Sequence, residues 1–149
     1  MTAASDVSKA FAKILSKVDS PDAMRRLGTF LIAMIRVRTR GRGQGVQKPG
    51  GPVSKLKRVT PKYAKWRAKQ PRHPEAATGR SSNLTFSGKM LDSLIIKKAN
   101  RTQLFLGFKT QKESNKAQWQ EEQGRRFLVL SGKEIKDAAA YLKMGLKGR

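Results

Sequence analysis

Apolar positions along the chain follow a helical period at both ends and lose it in the middle. Val7, Phe11, Ile14, Leu15 and Val18 fall at helical spacing and predict one apolar stripe. Ser20-Pro21 restarts the pattern. Ser20 suits an N-cap, Pro21 the first helical position, and Asp22 the positive end of the helix dipole. Met24, Leu27, Leu31, Met34 and Ile35 share one face of this second helix, with Phe30 beside them. The helix is expected to fade near Arg38, because Gly41, Gly43 and Gly45 follow quickly. From Thr39 to about Val59 glycine, proline and cations replace any apolar period, which predicts a long loop or arm.

Regular patterning returns at Thr60-Pro61, which predicts the cap and first residue of a short helix carrying Tyr63 and Trp66 and closed by Pro71 and Pro74. Ser87 is placed to cap a brief helix bearing Met90, Leu91 and Leu94. Leu94-Ile95-Ile96 and Gln103 to Phe108, joined by a turn near Asn100, predict a β-hairpin. Residues 113–123 predict a polar helix around Trp119, and Arg126 to Leu130 a short strand. Ser131 and Glu134 have the spacing of a capping box at the head of a last helix, which should bury Ile135, Ala138, Ala139, Leu142 and Leu146. The pattern predicts one α+β domain over residues 1–149, without internal repeats. It divides into N-terminal helices (1–38), a basic arm (39–59), and a core (60–149) of helices packed on a small, mostly antiparallel β-sheet.

Charge changes this picture most. The chain of 149 residues holds 33 Lys and Arg against 10 Asp and Glu, a formal net charge of +23. A charge of that size destabilises the compact state by self-repulsion and points to a polyanionic partner. It is concentrated in residues 36–80, with 14 basic side chains and 1 acidic. Arg36, Arg38, Arg40, Arg42, Lys48, Lys55, Lys57 and Arg58 lead that stretch, and Lys62, Lys65, Arg67, Lys69 and Arg72 continue it. Such side chains neutralise phosphates and release counterions, giving salt-sensitive and sequence-indifferent contact. Interleaved glycines would let the backbone follow a charged surface closely. The competing reading is a solvated, solubilising arm. A membrane surface fits less well, because no helix pairs a basic face with a large aromatic one.

Candidate chemistry is sparse. With no cysteine there is no disulfide, thiolate nucleophile or thiolate metal site. His73, the one histidine, lies between prolines in a loop-like stretch. Glu121 and Glu122 are adjacent on a predicted helix and diverge, Asp92 is isolated, and no His, Asp and Glu cluster has metal-ligand spacing. The glycine runs match no nucleotide-binding loop. The expectation is a protein that is not an enzyme and uses no cofactor or metal. Tyr63 and Trp66 lie amid cations, where such rings can stack on bases, but their spacing favours packing of a short helix. Trp119 reads as packing or interface. No basic segment leads into an apolar stretch at the N-terminus, so no signal peptide is expected, and Phe30 to Ile35, the longest apolar run, is too short to span a bilayer.

Four stretches carry a resemblance. Ser82-Asn-Leu-Thr-Phe-Ser-Gly-Lys-Met-Leu-Asp-Ser-Leu94 resembles the NLTxTGxMLDSI segment of tailed-phage tail-completion and head–tail joining proteins, a family that includes minor tail protein Z-like and Mu-type virion morphogenesis proteins. Leu56 to Tyr63 is similar to their LxxL(S/T)PxY segment, and Gln118 to Gly124 to their Axxx(E/Q)xG segment. Arg126 to Ser131 with Glu134 is similar to RPFLxLSxxE, but lacks the proline. The likeness spans roughly residues 20–145. It implies a structural virion protein at the neck, assembled in the host cytoplasm. It also implies a homo-oligomeric ring, commonly sixfold, between the head connector and the tail terminator or tube, with viral DNA in the lumen and no membrane. The basic arm would face DNA or an acidic neighbour. Met90, Leu91, Trp119 and Phe127 are candidates for subunit contacts, or equally for the core. Neutralising Arg36, Arg38, Arg40 and Arg42 together is expected to harm assembly or DNA retention without unfolding the domain. The alternative is a non-specific nucleic-acid-binding accessory protein, ribosomal- or nucleoid-like, and a nuclease is a further rival.

Overall fold

Helix α1 runs from Pro21 to Arg36, started as its sequence predicts: the Ser20 hydroxyl accepts a hydrogen bond from the Ala23 N–H at 3.4 Å, and Pro21 opens the first turn. The computed structural model describes residues 13, 16, 20–71, 74–84, 88–101 and 103–147. The apolar stripe of residues 7–18, Arg72, His73, the Ser87 cap and the side chain of Leu146 lie outside the described residues. Helix α1 does not fade at its glycines. It widens into a π-helical turn, Val37–Gly41, that carries the chain one turn further.

The segment expected to be an arm is a clamped hairpin. Strands β1 (Gln44–Val46) and β2 (Val53–Lys55) pair antiparallel, with Gln44 opposite Lys55 and Val46 opposite Val53. The far edge of β1 is held too: Val46 N–H donates to the Arg126 carbonyl at 3.0 Å, and Gly50 N–H to Leu130 at 2.9 Å. Glycine serves contact here. A Cβ on Gly45 would lie 2.0 Å from the Arg126 carbonyl oxygen, so only glycine lets the two backbones meet. Gly43, at φ +61°, takes the left-handed turn into the hairpin.

Helix α2 (Pro61–Ala68) is capped by the Thr60 hydroxyl, which accepts from Tyr63 N–H at 3.2 Å. A four-residue helix α3 (Lys89–Asp92) leads into the expected hairpin, β3 (Leu94–Ala99) with β4 (Leu104–Phe108), irregular between Ile96 and Lys98. Helix α4 (Gln111–Glu122) starts at Thr110, and α5 (Gly132–Lys147) at the Ser131–Glu134 capping box. In that box Glu134 N–H donates to the Ser131 hydroxyl at 3.1 Å, and Ser131 N–H to Glu134 Oε2 at 2.8 Å.

Arg126 to Leu130, predicted as a strand, joins no ladder among the described residues. Its backbone is satisfied piecemeal instead. Glu121 Oε1 accepts from the N–H groups of Phe127 and Leu128, Arg38 donates to the carbonyls of Phe127 and Val129, and β1 and its turn take those of Arg126 and Leu130. The fold is α+β, with two small two-stranded antiparallel sheets, rather than one, among the described residues.

Helix α1 belongs to two apolar clusters. Ile32 and Ile35 pack with Met90, Leu91, Leu94, Phe108, Ala117 and Phe127. Met24, Leu27 and Leu31 pack with Ala138 and Leu142 of α5, beside the Phe30–Tyr141 stack, whose ring centroids are 4.5 Å apart. Ile135 and Ala139, expected in the core, are half-buried.

Candidate functional site

The leading cations of the sequence have divided fates. Residues two apart on a helix point to nearly opposite sides, and residues four apart to the same side. Arg36 and Arg40 accordingly reach one way, to the segment around α3. Arg36 donates to the carbonyls of Leu91, Asp92 and Leu94 at 2.9, 3.0 and 3.1 Å. Arg40 donates to the Gly88 carbonyl at 3.2 Å and to Asp92 Oδ1 at 2.7 Å, with Glu75 at 3.8 Å. Arg38 reaches the other way and is 4% exposed. Its guanidinium binds Glu134 at 2.5 Å, the Val129 carbonyl at 3.1 Å and the Phe127 carbonyl. Burial lowers the pKa of Arg38, against the pull of Glu134, and leaves a cation locked to a carboxylate. Arg38 is therefore no polyanion contact, and Arg36 and Arg40 have their donors directed inward. Their alternation matched the helix, and the partners were remote in sequence.

The remaining leading cations face water, whereas Arg67, further along the basic stretch, is buried. Arg42, Lys48, Lys55, Lys57 and Arg58 are exposed, along the end of the π turn, the hairpin and the segment leading to α2. They are displayed by ordered backbone. Arg125 donates to the Lys57 carbonyl at 3.1 Å and the Arg58 carbonyl at 3.2 Å, so it fixes the main chain from which these side chains project. Lys62, Lys65 and Lys69 are exposed along and just after α2.

Next to that surface, α2 and α4 face each other across an open cleft of about 480 Å³. Val59, Leu84 and Met90 supply apolar lining, Tyr63 and Trp119 aromatic surface, and Arg67, Lys116 and Arg125 positive charge; no Asp or Glu among the described residues lines it. Trp119 is 54% exposed. Tyr63 and Trp66, expected to pack into the core, are exposed as well and lean on each other at 5.6 Å. Helix α2 is too short and too cationic to bury both. Of the candidate subunit contacts, Met90, Leu91 and Phe127 are core residues, and Trp119 alone presents its side chain to the surface. Arg67 stacks its guanidinium 5.8 Å from the Tyr63 ring centroid and donates to the carbonyls of Gly79 and Ser81 at 2.5 and 2.8 Å. Arg125 has its pKa lowered by burial, opposed by Tyr63.

Two residues that build this site carried no separate sequence signal. Asn83 donates from its amide to the carbonyls of Arg40 at 2.9 Å and Glu75 at 2.6 Å, and accepts from Ala77 N–H at 3.1 Å. Leu84 follows at φ 54°, the left-handed region that L side chains rarely occupy, and lines the cleft. The resemblance of Ser82–Leu94 covered both residues without stating their roles. Among the described residues, no three His, Cys, Asp or Glu side chains gather as a metal site would require, and no helix is long and apolar enough to cross a membrane.

No protein-family model matches the chain, and the searches of curated proteins and of solved structures likewise return no match.

Proposed function

We propose that this chain is a ring-forming structural protein of a tailed-phage neck, a tail-completion or head–tail joining component seated between the head connector and the tail. One observation supports this reading above others. The stretches 56–63, 82–94 and 118–124, three of the four that carry the resemblance, each contribute lining to a single cleft that exposes Trp119 beside a basic surface. The fourth, 126–134, is bonded to α4 through Glu121 and to α1 through Arg38. Such an arrangement suits assembly. The cleft offers a neighbour an aromatic anchor point, and the exposed cations offer generic, salt-sensitive contact to DNA in a lumen or to an acidic ring. Subunits of charge +23 repel one another, and a polyanion held by Arg42, Lys48, Lys55, Lys57 and Arg58 offsets that repulsion.

Negative-stain electron microscopy and native mass spectrometry of the full chain, across a range of salt concentrations, test the proposal. Rings with a central hole are expected, with salt or added DNA favouring them. A monomer or dimer that never closes into rings, and whose affinity for DNA or RNA falls steeply with salt, would instead make this a nucleic-acid-binding accessory protein, ribosomal- or nucleoid-like.

A further inference from the structure

We propose that the cleft between α2 and α4 is the docking site for a short acidic segment of a partner protein that carries one or two bulky apolar side chains. This deepens the neck reading by naming the chemistry of a neighbour, and rests on that reading only in expecting a polypeptide there.

Shape and lining call for an apolar anchor. The volume of about 480 Å³ falls within the range of roughly 300–1,000 Å³ that binding clefts occupy. Val59, Leu84 and Met90 offer apolar contact, and Trp119, 54% exposed, stands ready to be covered. A tryptophan that loses its water on binding is the side chain most often found to dominate interface energy. The charge of the site selects what flanks the anchor. Arg67, Lys116 and Arg125 line the cleft with no Asp or Glu among the lining residues, and exposed Lys57 and Arg58 are tethered next to it through Arg125. An acidic segment matches that field.

The same details weigh against other occupants. Nucleic acid strands are held by cations open to successive phosphates and by bases stacked in series. Here the guanidiniums of Arg67 and Arg125 are 6% and 8% exposed residues' groups already donating to the carbonyls of Gly79, Ser81, Lys57 and Arg58, and Lys116 lies 3.2 Å from Glu113. Inside the cleft they set a positive potential with forks closed to phosphate and carboxylate alike, and the apolar lining of Val59, Leu84 and Met90 suits a polypeptide side chain better than a series of stacked bases. A second copy would bring its own net charge of +23 to a basic rim.

The experiment is fluorescence anisotropy on the full chain at near-physiological salt. The probe is a short fluorescein-labelled peptide of Asp and Glu bearing one Phe and one Leu. Comparison probes are the same peptide with Ser for Phe and Leu, and an oligothymidylate of equal charge. The intact peptide should bind at least about tenfold more tightly than its Ser counterpart. Trp119→Ala should weaken it by about tenfold or more, and Lys116→Glu should weaken it too, while Phe105→Ala, an exposed aromatic outside the cleft, should not. Circular dichroism checks that each variant stays folded. Equal binding of both peptides, indifferent to Trp119→Ala, would reduce the effect to diffuse charge and overturn the proposal. Tighter binding of oligothymidylate that Trp119→Ala weakens would assign the cleft to nucleic acid. Self-association abolished by Trp119→Ala would assign it to a second copy. Rings that bind no peptide would overturn the docking site and leave the neck reading standing; a ringless chain that binds the peptide through Trp119 would do the reverse.

Discussion

Arg38 and Arg42 lie one helical turn apart and do opposite work. Arg38 is buried against Glu134 and the carbonyls of Phe127 and Val129, where it fastens α1 to the start of α5. Arg42 stands in water at the end of the same π turn. The division extends to their neighbours. Arg36 and Arg40 hold the segment around α3, and Arg67 and Arg125 hold the loops beside the cleft, whereas Lys48, Lys55, Lys57 and Arg58 are free to meet a partner electrostatically. A chain of net charge +23 therefore does not present that charge as one uniform surface. Arginine, with donors arranged in a fork and a weakly hydrated cation, can be taken inside and used as a multivalent tie for backbone carbonyls. Every lysine named on the basic stretch from 48 to 69 remains outside.

The largest effect is expected from Arg38→Ala. It strands Glu134 as a buried, unpaired carboxylate, and should cost about 3–5 kcal/mol in urea unfolding. Combining Arg38→Met with Glu134→Leu should recover part of that loss, leaving a deficit near 1 kcal/mol for the lost capping box. A loss below about 0.5 kcal/mol for Arg38→Ala would mean that this arginine is no tie at all. Replacing Arg36, Arg38, Arg40 and Arg42 together should consequently unfold or loosen the domain, so separating assembly from folding calls for Arg42 and the exposed lysines instead.

Next in size is Gly45→Ala. Its methyl group would meet the Arg126 carbonyl at 2.0 Å, which should force the hairpin away from residues 126–130 and destabilise by about 3 kcal/mol, with faster amide exchange at Val46. If the glycine-rich stretch were a loose arm, the same change would be neutral. Asn83→Ala should cost about 2 kcal/mol, because Ala77 N–H and the carbonyls of Arg40 and Glu75 each lose a hydrogen bond. Thermal melts of that variant are the direct check. The smallest effect is expected at the surface. Arg42, Lys48, Lys55, Lys57 and Arg58 changed to Gln should each alter stability by less than about 0.5 kcal/mol. Together they should shallow the salt dependence of polyanion binding, read as the slope of log affinity against log salt.

Much of the fold was legible locally. Ser20-Pro21, Thr60-Pro61 and the Ser131–Glu134 box each started a helix where the sequence placed it, since a cap is decided by residues within one turn of each other. The hairpin of Leu94–Ala99 and Leu104–Phe108 was legible from two apolar runs around a short turn. The candidate site was legible only in outline. Its cations and aromatics were recognised, but Tyr63 and Trp66 were expected inside and Arg38 outside. Burial depends on what a side chain meets across the fold, and neither helical spacing nor charge reports that. The strand expected at Arg126–Leu130 failed for the same reason: its backbone groups found partners on α1, α4 and the first hairpin instead of on a neighbouring strand.

Legible in the sequence were the α+β class, the helix starts at Pro21, Pro61 and Gly132, the second hairpin and the excess of positive charge. These follow from short-range rules: capping, apolar period, turn chemistry and composition. Packing between distant segments set which cations became internal ties, that the glycine-rich stretch is held rather than loose, and that Trp119, Tyr63, Ser82, Leu84 and Met90 share one cleft. The physical reason is distance along the chain. Arg38 finds Glu134, and Arg125 finds the carbonyls of residues 57 and 58, only after loops have closed and the core has ordered. A guanidinium pays for its loss of water only where several acceptors already stand in place.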